Sequence, residues 1–388
     1  MYILFDTTTI ILLATLLFFL VIQLVYYWGF LARPYYYLQK IRKNKIIFPN
    51  LQPPVSVIIY ARNEATGLQA FLPSVLEQDY PEYEVIVVND DSSDNSENIL
   101  KRLQAQYPHL YYTYIPQGTK NLCRKKLGLT LGIKAAKHAT LLFTEADSRP
   151  VSSNWINCMS RHLNGEKTIV LGFSALERRN ALKHKYAAFD YFFVNLQMAA
   201  MALLKIPYGA NGRNLVYRKE YFDSQKGYSR RRHLPVGEDD LFVNEIATKE
   251  NLAVELSPES LVFAQWDEMF DWKCAKISRV TTQHFYKKLP VFLWRIELWS
   301  RLFFTAAFFV CLFYNIRNII LPLSAILALS GRLFSQLFVI NKTAAYLKLE
   351  KFYFLFPFFD IMQPIVNIYF YIYRLFERKT NYVWKYEK

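Results

Sequence analysis

The chain has 388 residues, 53% of them hydrophobic, 17% aromatic and 20% charged, with a formal net charge of +15. This composition excludes a disordered chain, which lacks the apolar and aromatic residues to build a core. The cysteines (Cys123, Cys158, Cys274, Cys311) form no CxxC pair and the histidines are dispersed, which argues against a disulfide scaffold and a zinc site.

From Thr7 to Ala32 the chain carries no charge. A bilayer span needs about 20 apolar residues, so this stretch is long enough. A cleavable signal has a basic start and a small-residue cleavage site. Here Asp6 precedes the stretch and Arg33-Pro34 follows it. The prediction is a retained anchor over residues 1-32. The next segment, 33-52, holds Arg33, Lys40, Arg42, Lys43 and Lys45 and no acid. Short basic flanks stay cytoplasmic, which places the centre of the chain in the cytosol. The basic run reads either as a membrane-surface segment or as a solvated face.

Residues 53-290 alternate β-rich and helical patterns. Strands are predicted at Val55–Tyr60, Glu84–Val88, Leu110–Ile115 and Thr140–Thr144. Helices are predicted at Leu68–Gln78, Ser93–Gln106 and Leu127–Ala136, the second capped by Ser93 or Asp94. The alternation argues for an α/β domain with a parallel sheet covered on both faces. Ligands of such sheets bind beyond the carboxyl ends of the strands.

Acids recur at those ends. Glu64 follows the first strand, Asp90, Asp91 and Asp94 the second, and Glu145 and Asp147 the fourth. Asp94 reads as a helix cap. Like charges at short range repel strongly, so the cluster requires a neutralising cation. Hard carboxylate oxygens suit Mg²⁺ or Mn²⁺, which complete their shells with phosphate oxygens and water. The first strand is not followed by GxGxxG, and the chain has no Walker A loop. Phosphates would therefore be held by metal and basic side chains.

Residues 291-376 are apolar again. Candidate spans are Leu302–Ile316, Asn318–Asn341, which Arg332 interrupts, and Phe352–Tyr373, which contains Pro357, Asp360 and Pro364. The other reading is buried helices of a soluble domain, but Trp294 and Trp299 mark aromatic edges of a membrane type. Three full crossings would put the basic tail, 377-388, outside. The two-proline segment is therefore expected to be re-entrant or interfacial, set against protein or a cavity. Asp360 is either a buried polar contact or part of an acceptor path.

Three segments now matter together: PPVSVIIYARNEATGLQAFLPSVLEQDYPEYEVIVVNDDSSDNS, LLFTEADSRPVSSNWI and GEDDLFVNEIA, in that order. On these, residues Pro53 to Tyr286 resemble the family 2 glycosyltransferases. With its terminal anchors the chain is similar to the integral-membrane branch, which includes ceramide glucosyltransferase-like and bacterial envelope enzymes. The resemblance implies a GT-A nucleotide-diphospho-sugar transferase fold. It implies Glu64 and Asp91, with Asp90, at the uracil and ribose of a UDP-sugar, a GDP-sugar ranking second. Lys126, in KKLGLTLGI, would lie near the nucleotide. Asp147, with Glu145, would ligate the Mg²⁺ or Mn²⁺ that bridges the diphosphate. Asp239 would be the general base and Arg279 would sit near the diphosphate. Gly212, Arg213 and Asn214, in YGANGRN, would lie with Glu238 at the acceptor side. The other reading of YGANGRN is a plain turn.

Two elements depart from the family pattern. The metal element reads Glu145-Ala146-Asp147 rather than DxD. The QxxRW element reads Lys276-Ile277-Ser278-Arg279-Val280, without the aromatic platform of processive synthases. That difference, and the few spans, favour transfer of a single sugar. One base without a second, nucleophilic carboxylate implies inversion at the anomeric carbon. The implied partners are a nucleotide-sugar, a lipid or lipid-linked glycan acceptor, and membrane lipids. The implied location is a bacterial-type inner membrane, with the catalytic domain in the cytoplasm. Arg230-Arg231-Arg232-His233 meets lipid phosphates, the donor diphosphate or solvent alone. His233 and His284 are assigned no role. A competing reading is a catalytically silent domain serving as a membrane scaffold. Nucleic-acid binding is set aside, because many of the basic residues flank the spans.

Overall fold

The computed structural model describes residues 6–49, 51–115, 123–177, 179–231, 234–266, 269–314 and 319–376. Arg232, His233 and the 377-388 tail fall outside them. The chain divides into two compact units, Met1–Gln39 with Lys288–Tyr369 and Lys40–Lys287 with Phe370–Lys388. It begins with α1 (Thr7–Val25), a π-helical stretch (Tyr26–Leu31) and α2 (Arg33–Arg42).

The second unit then opens with β1 (Val55–Ala61), α3 (Ala65–Leu76), β2 (Tyr83–Asn89), α4 (Ser96–Gln106), β3 (Leu110–Tyr114), α5 (Arg124–Ala135) and β4 (Thr140–Glu145). Every residue of β1 is buried, as its largely apolar, β-branched run demands; its one polar side chain, Ser56, donates to Glu84 Oε1 at 2.6 Å. β1 pairs in parallel with both β2 and β4, and β2 with β3. The residue that precedes α4 is Asn95, not the expected Ser93 or Asp94; Asp94, one position earlier, instead accepts from the first N–H of two helices. Its Oδ2 accepts from the Ala65 N–H at 2.8 Å and its Oδ1 from the Ser96 N–H at 3.0 Å.

Next come β5 (Ser148–Pro150), α6 (Trp155–Ser160), β6 (Ile169–Leu171), β7 (Ser174–Leu176), α7 (Leu182–Leu203), β8 (Leu215–Arg218), α8 (Lys219–Ser224), α9 (Asp240–Ile246), β9 (Leu252–Val254), β10 (Val262–Ala264) and α10 (Met269–Thr282). One sheet runs β3-β2-β1-β4-β8-β6-β9 and a smaller one β5-β10-β7. The expected parallel arrangement holds from β3 to β4. β8 runs the other way, antiparallel to β4 and β6. This reversal has a consequence for the site. Leu215, at the start of β8, pairs with Phe143 near the end of β4. The loop that precedes β8 therefore reaches the rim where β1 and β4 end.

The first unit is completed by α11 (Lys288–Phe313) and α12 (Ile320–Tyr346), followed by α13 (Phe356–Phe376), which continues into the second unit. The continuous helix Thr7–Arg42 and helices α11 and α12 are long and apolar enough to cross a membrane. Helix α13 contains Pro364. Its exposed Phe358, Ile361, Ile365, Tyr369 and Ile372 recur every three or four residues along one face. Within the first unit, Asp360 is a buried polar contact. Its carboxylate meets Arg332 Nη2 at 2.7 Å, Gln336 Nε2 at 3.1 Å and Arg301 Nη1 at 3.4 Å. Arg301 also pairs with Glu297, and Gln23 donates to Ser300 Oγ at 2.6 Å. Charges in an apolar setting must be paired in this way.

Candidate active site

The site lies at the carboxyl ends of β1 and β4, where the strand order reverses direction, as open α/β sheets dictate. β4 delivers Glu145, and β5 starts directly after Asp147. The Gln265 N–H, just past β10, donates to the Asp147 carbonyl at 2.9 Å and fixes that backbone. Two adjoining clefts, of about 520 and 370 Å³, share Lys125, Glu145, Glu238 and Asp239 as lining residues. The larger is also lined by Asn211, Arg213, Asp240 and Arg279.

Asp239 precedes α9 and is half-buried. Its Oδ2 accepts from the Gly212 N–H at 2.7 Å and its Oδ1 from the Asp240 N–H at 2.7 Å. Burial first, then the Asp240 and Glu238 carboxylates, push its pKa up to about 7. Asp240 is differently placed. It is buried, and its Oδ2 accepts from Thr282 Oγ1 at 2.6 Å and from the Tyr286 hydroxyl. Of the two aspartates, Asp239 is the one that lines both clefts.

The Glu145–Asp147 pair is neutralised by side chains. Arg213 Nη2 lies 2.6 Å from Glu145 Oε2 and 2.8 Å from Asp147 Oδ2, and Arg213 Nε reaches Asp147 Oδ1 at 3.2 Å. Lys125 Nζ lies 2.9 Å from both Glu145 and Glu238. Burial opposes the charged forms of both bases. The Asp147 and Glu145 carboxylates outweigh it at Arg213, and Glu145, Glu238 and Asp239 outweigh it at Lys125, so both pKa values stand well above ordinary. The sequence led us to expect a metal as the neutralising charge; a guanidinium and an ammonium fill that role here. The donor set still suits Mg²⁺ or Mn²⁺, since both acids offer hard oxygens. Among the described residues no group of three or more His, Cys, Asp or Glu side chains converges on such an ion. Further ligands would have to come from a diphosphate and water.

The structure distributes the other sequence-predicted residues unevenly. Glu64 is buried at the start of α3. A Cβ on Gly67 would sit 2.6 Å from the Ala146 carbonyl and 3.4 Å from Glu64 Oε2, so Glu64 stands beside the end of β4. Asp90 is fully buried. It accepts from the Tyr60 hydroxyl and from Arg124 Nε at 2.7 Å. Asp91 is exposed in the left-handed region, at φ 48°, as is Asn63 at φ 53°. Asn63 Oδ1 accepts from the Ser93 N–H at 2.8 Å, joining the loops that carry Glu64 and Asp91.

Lys126 is placed away from this rim. Its ammonium donates to the carbonyls of Arg231, Leu234 and Val236 at 3.0, 2.9 and 2.8 Å. It holds the loop that leads to Glu238, while its neighbour Lys125 takes the cleft-facing position. Asn214 is buried in a structural web, accepting from Trp155 Nε1 at 3.0 Å and donating to the Phe173 and Ser260 carbonyls. Gly212 lies against Asp239, and a Cβ there would come within 3.1 Å of Asp239 Oδ2. Glu238 is buried, and its Oε2 has no hydrogen-bond partner among the described residues. Arg279 faces the larger cleft, with its guanidinium 5.6 Å from the Tyr191 ring centre. Lys276, the departure from QxxRW, is buried against Asp190 at 2.6 Å. Sequence reasoning missed Lys125 and Tyr191, which line the larger cleft. The helix expected from Leu127 starts at Arg124, which puts Lys125 in its first turn, and the Arg124-Lys125-Lys126 run alone does not tell which member faces the cleft.

Residues 56–224 match the family model described as Glycosyl transferase family 2. The chain carries a family 2 glycosyltransferase domain. The match ends before Asp239 and Arg279. The glycosyltransferase domain is also similar to curated proteins. It is 26% identical over 127 residues to the poly-beta-1,6-N-acetyl-D-glucosamine synthase of Staphylococcus epidermidis, covering 31% of this chain and 29% of that protein. It is 32% identical over 100 residues to the glycosyltransferase AglE of Haloferax volcanii, covering 25% of this chain and 32% of that protein. These matches thus span about a third or less of those relatives. Among solved structures, the mannosyltransferase PcManGT from Pyrobaculum calidifontis, in complex with GDP-Man and Mn²⁺, superposes with a TM-score of 0.55 at 18% identity. It covers 90% of this chain and 99% of that one. That likeness shows the fold, a GT-A-like α/β domain.

Proposed function

We propose that this chain is a membrane-bound, inverting glycosyltransferase that moves one sugar from a nucleotide-sugar, first a UDP-sugar, to a lipid or lipid-linked glycan acceptor. The observation that carries the reading is Asp239. It lines both clefts, is oriented by two backbone N–H groups, and has a pKa near the pH at which a base must act. In this reading Asp239 takes the proton of the acceptor hydroxyl as that oxygen attacks the anomeric carbon. The sugar–phosphate bond breaks on the opposite face, and charge accumulates on the departing diphosphate. Arg279 and Lys125 lie where cations would stabilise that charge. Glu238 Oε2 is available to orient an acceptor hydroxyl. Glu64 and Asp91 form the nucleotide rim.

A divalent ion would be held by Glu145 and Asp147, and when bound would supply charge stabilisation to the diphosphate. Three helices of spanning length support a membrane location, and tethering makes most sense for an acceptor in the bilayer. The basic residues after the first span support a cytosolic domain. The scaffold reading is the alternative.

The test is calorimetry on the detergent-purified full chain, with UDP and then GDP, each with and without Mn²⁺. Metal-dependent UDP binding, followed by transfer from a UDP-sugar to membrane lipid extract, is expected. GDP binding alone would redirect the donor assignment. No nucleotide binding under any condition would favour the scaffold.

A further inference from the structure

Arg213 makes contacts that an acceptor-side role does not explain. Its guanidinium bridges two carboxylates that lie two positions apart, using Nη2 for both and Nε for a second contact with Asp147. The planar fork of arginine suits this bridging, and a lysine could not reproduce it. Arg213 is only 5% exposed. It is held on other sides by the Trp266 ring, 5.5 Å away, and by its own N–H, which donates to Asn211 Oδ1 at 3.2 Å. It is a built contact, in the place where the sequence led us to expect a metal.

We propose that Arg213 is the resident counter-cation of the Glu145–Asp147 pair, and that a divalent ion enters this site only by displacing it. The inference rests on the proposed metal-binding role of those two acids. Arg213 holds oxygens of both carboxylates, while Lys125 divides its charge between Glu145 and Glu238. Adding a dication while the guanidinium stays would set two cations on the same carboxylate oxygens, where like charges repel. The displaced guanidinium needs a new anion. Arg213 lines the larger cleft, so a nucleoside diphosphate bound there can accept it through a charge-assisted hydrogen bond. Metal and nucleotide therefore bind cooperatively, each enhancing the other by the same factor.

The test is direct measurement of free Mn²⁺ by electron paramagnetic resonance, titrating the full chain in detergent without and with UDP or GDP. Without nucleotide, R213Q is expected to bind Mn²⁺ roughly ten-fold more tightly than the wild type, a typical size for coupling between two ligands. Nucleotide should narrow that gap. R213K, which keeps the charge but loses the fork, is expected to fall between the two and keeps the test valid if R213Q fails to fold. D147N should lose Mn²⁺ in either background. If D147N loses Mn²⁺ but neither Arg213 variant binds more tightly than the wild type, the displacement is wrong and the metal assignment stands. If neither the wild type nor any Arg213 variant binds Mn²⁺, even with nucleotide, both are wrong.

Discussion

The backbone N–H of Gly212 donates to Asp239 Oδ2 at 2.7 Å. This bond joins the loop before β8 to the start of α9 and orients the carboxylate that lines both clefts. A Cβ on Gly212 would come within 3.1 Å of the same oxygen, so a side chain there requires the Asp239 carboxylate to shift by a few tenths of an ångström. Gly212→Ala should therefore turn Asp239 and lower kcat more than it raises KM for the donor. An unchanged kcat would show that this orientation is irrelevant.

Asp239→Asn should lower transfer by about a hundred-fold or more, the usual worth of a general base. Nucleotide affinity, measured by calorimetry, should stay near wild type. Full activity in this variant would remove the base assignment.

The Asp239 pKa of about 7 sets a pH dependence. The base must be ionised, so kcat/KM should rise with pH and level off above about 7. Lys125 holds that pKa down, so Lys125→Met should move the rising limb to higher pH. Stability should behave in the opposite sense. The folded state holds the Asp239 proton more tightly than the unfolded chain. Its contribution to stability is therefore lost as pH rises from the ordinary carboxylate range through about 7. Asp239→Asn should remove that loss, and its Tm at pH 8 should exceed that of the wild type.

Lys126 tests positioning against nucleotide contact. Lys126→Met leaves three carbonyls without their donor, a cost of about 1–3 kcal/mol where such groups stay buried. Thermal unfolding should shift down and kcat should fall, with nucleotide affinity little changed. A selective loss of nucleotide affinity would instead return Lys126 to the donor site.

Asp360 tests the two readings of its segment. Asp360→Ala leaves Arg301 and Arg332 without this counter-charge, and breaking a buried pair costs about 3–5 kcal/mol. The Tm in detergent should drop, while kcat per folded molecule stays near wild type. Loss of transfer without loss of Tm would place Asp360 on an acceptor path.

The sequence alone determined the parallel half of the sheet, the acids at its rim and the apolar helices. These follow from local signals. Burial on both faces selects a β-branched run such as VSVIIYA, and the pitch of strand and helix puts Glu64, Asp91 and Glu145 at strand ends. A contact of Asp94 with the start of α4 was legible because it joins near neighbours, although the cap position itself falls on Asn95 and the second partner, the start of α3, was not legible.

Tertiary structure decided which charge meets which. β8 runs antiparallel to β4, and this brings Arg213 onto Glu145 and Asp147 from 68 and 66 positions away in the chain. Lys125 and Lys126 are adjacent and chemically alike, yet one faces the cleft and the other three carbonyls, because a helix turns about 100° per residue. Electrostatic pairing depends on distance in space. Spacing along the chain gives that distance only within one element, so the neutralisation of the rim became visible only once the strands were in place.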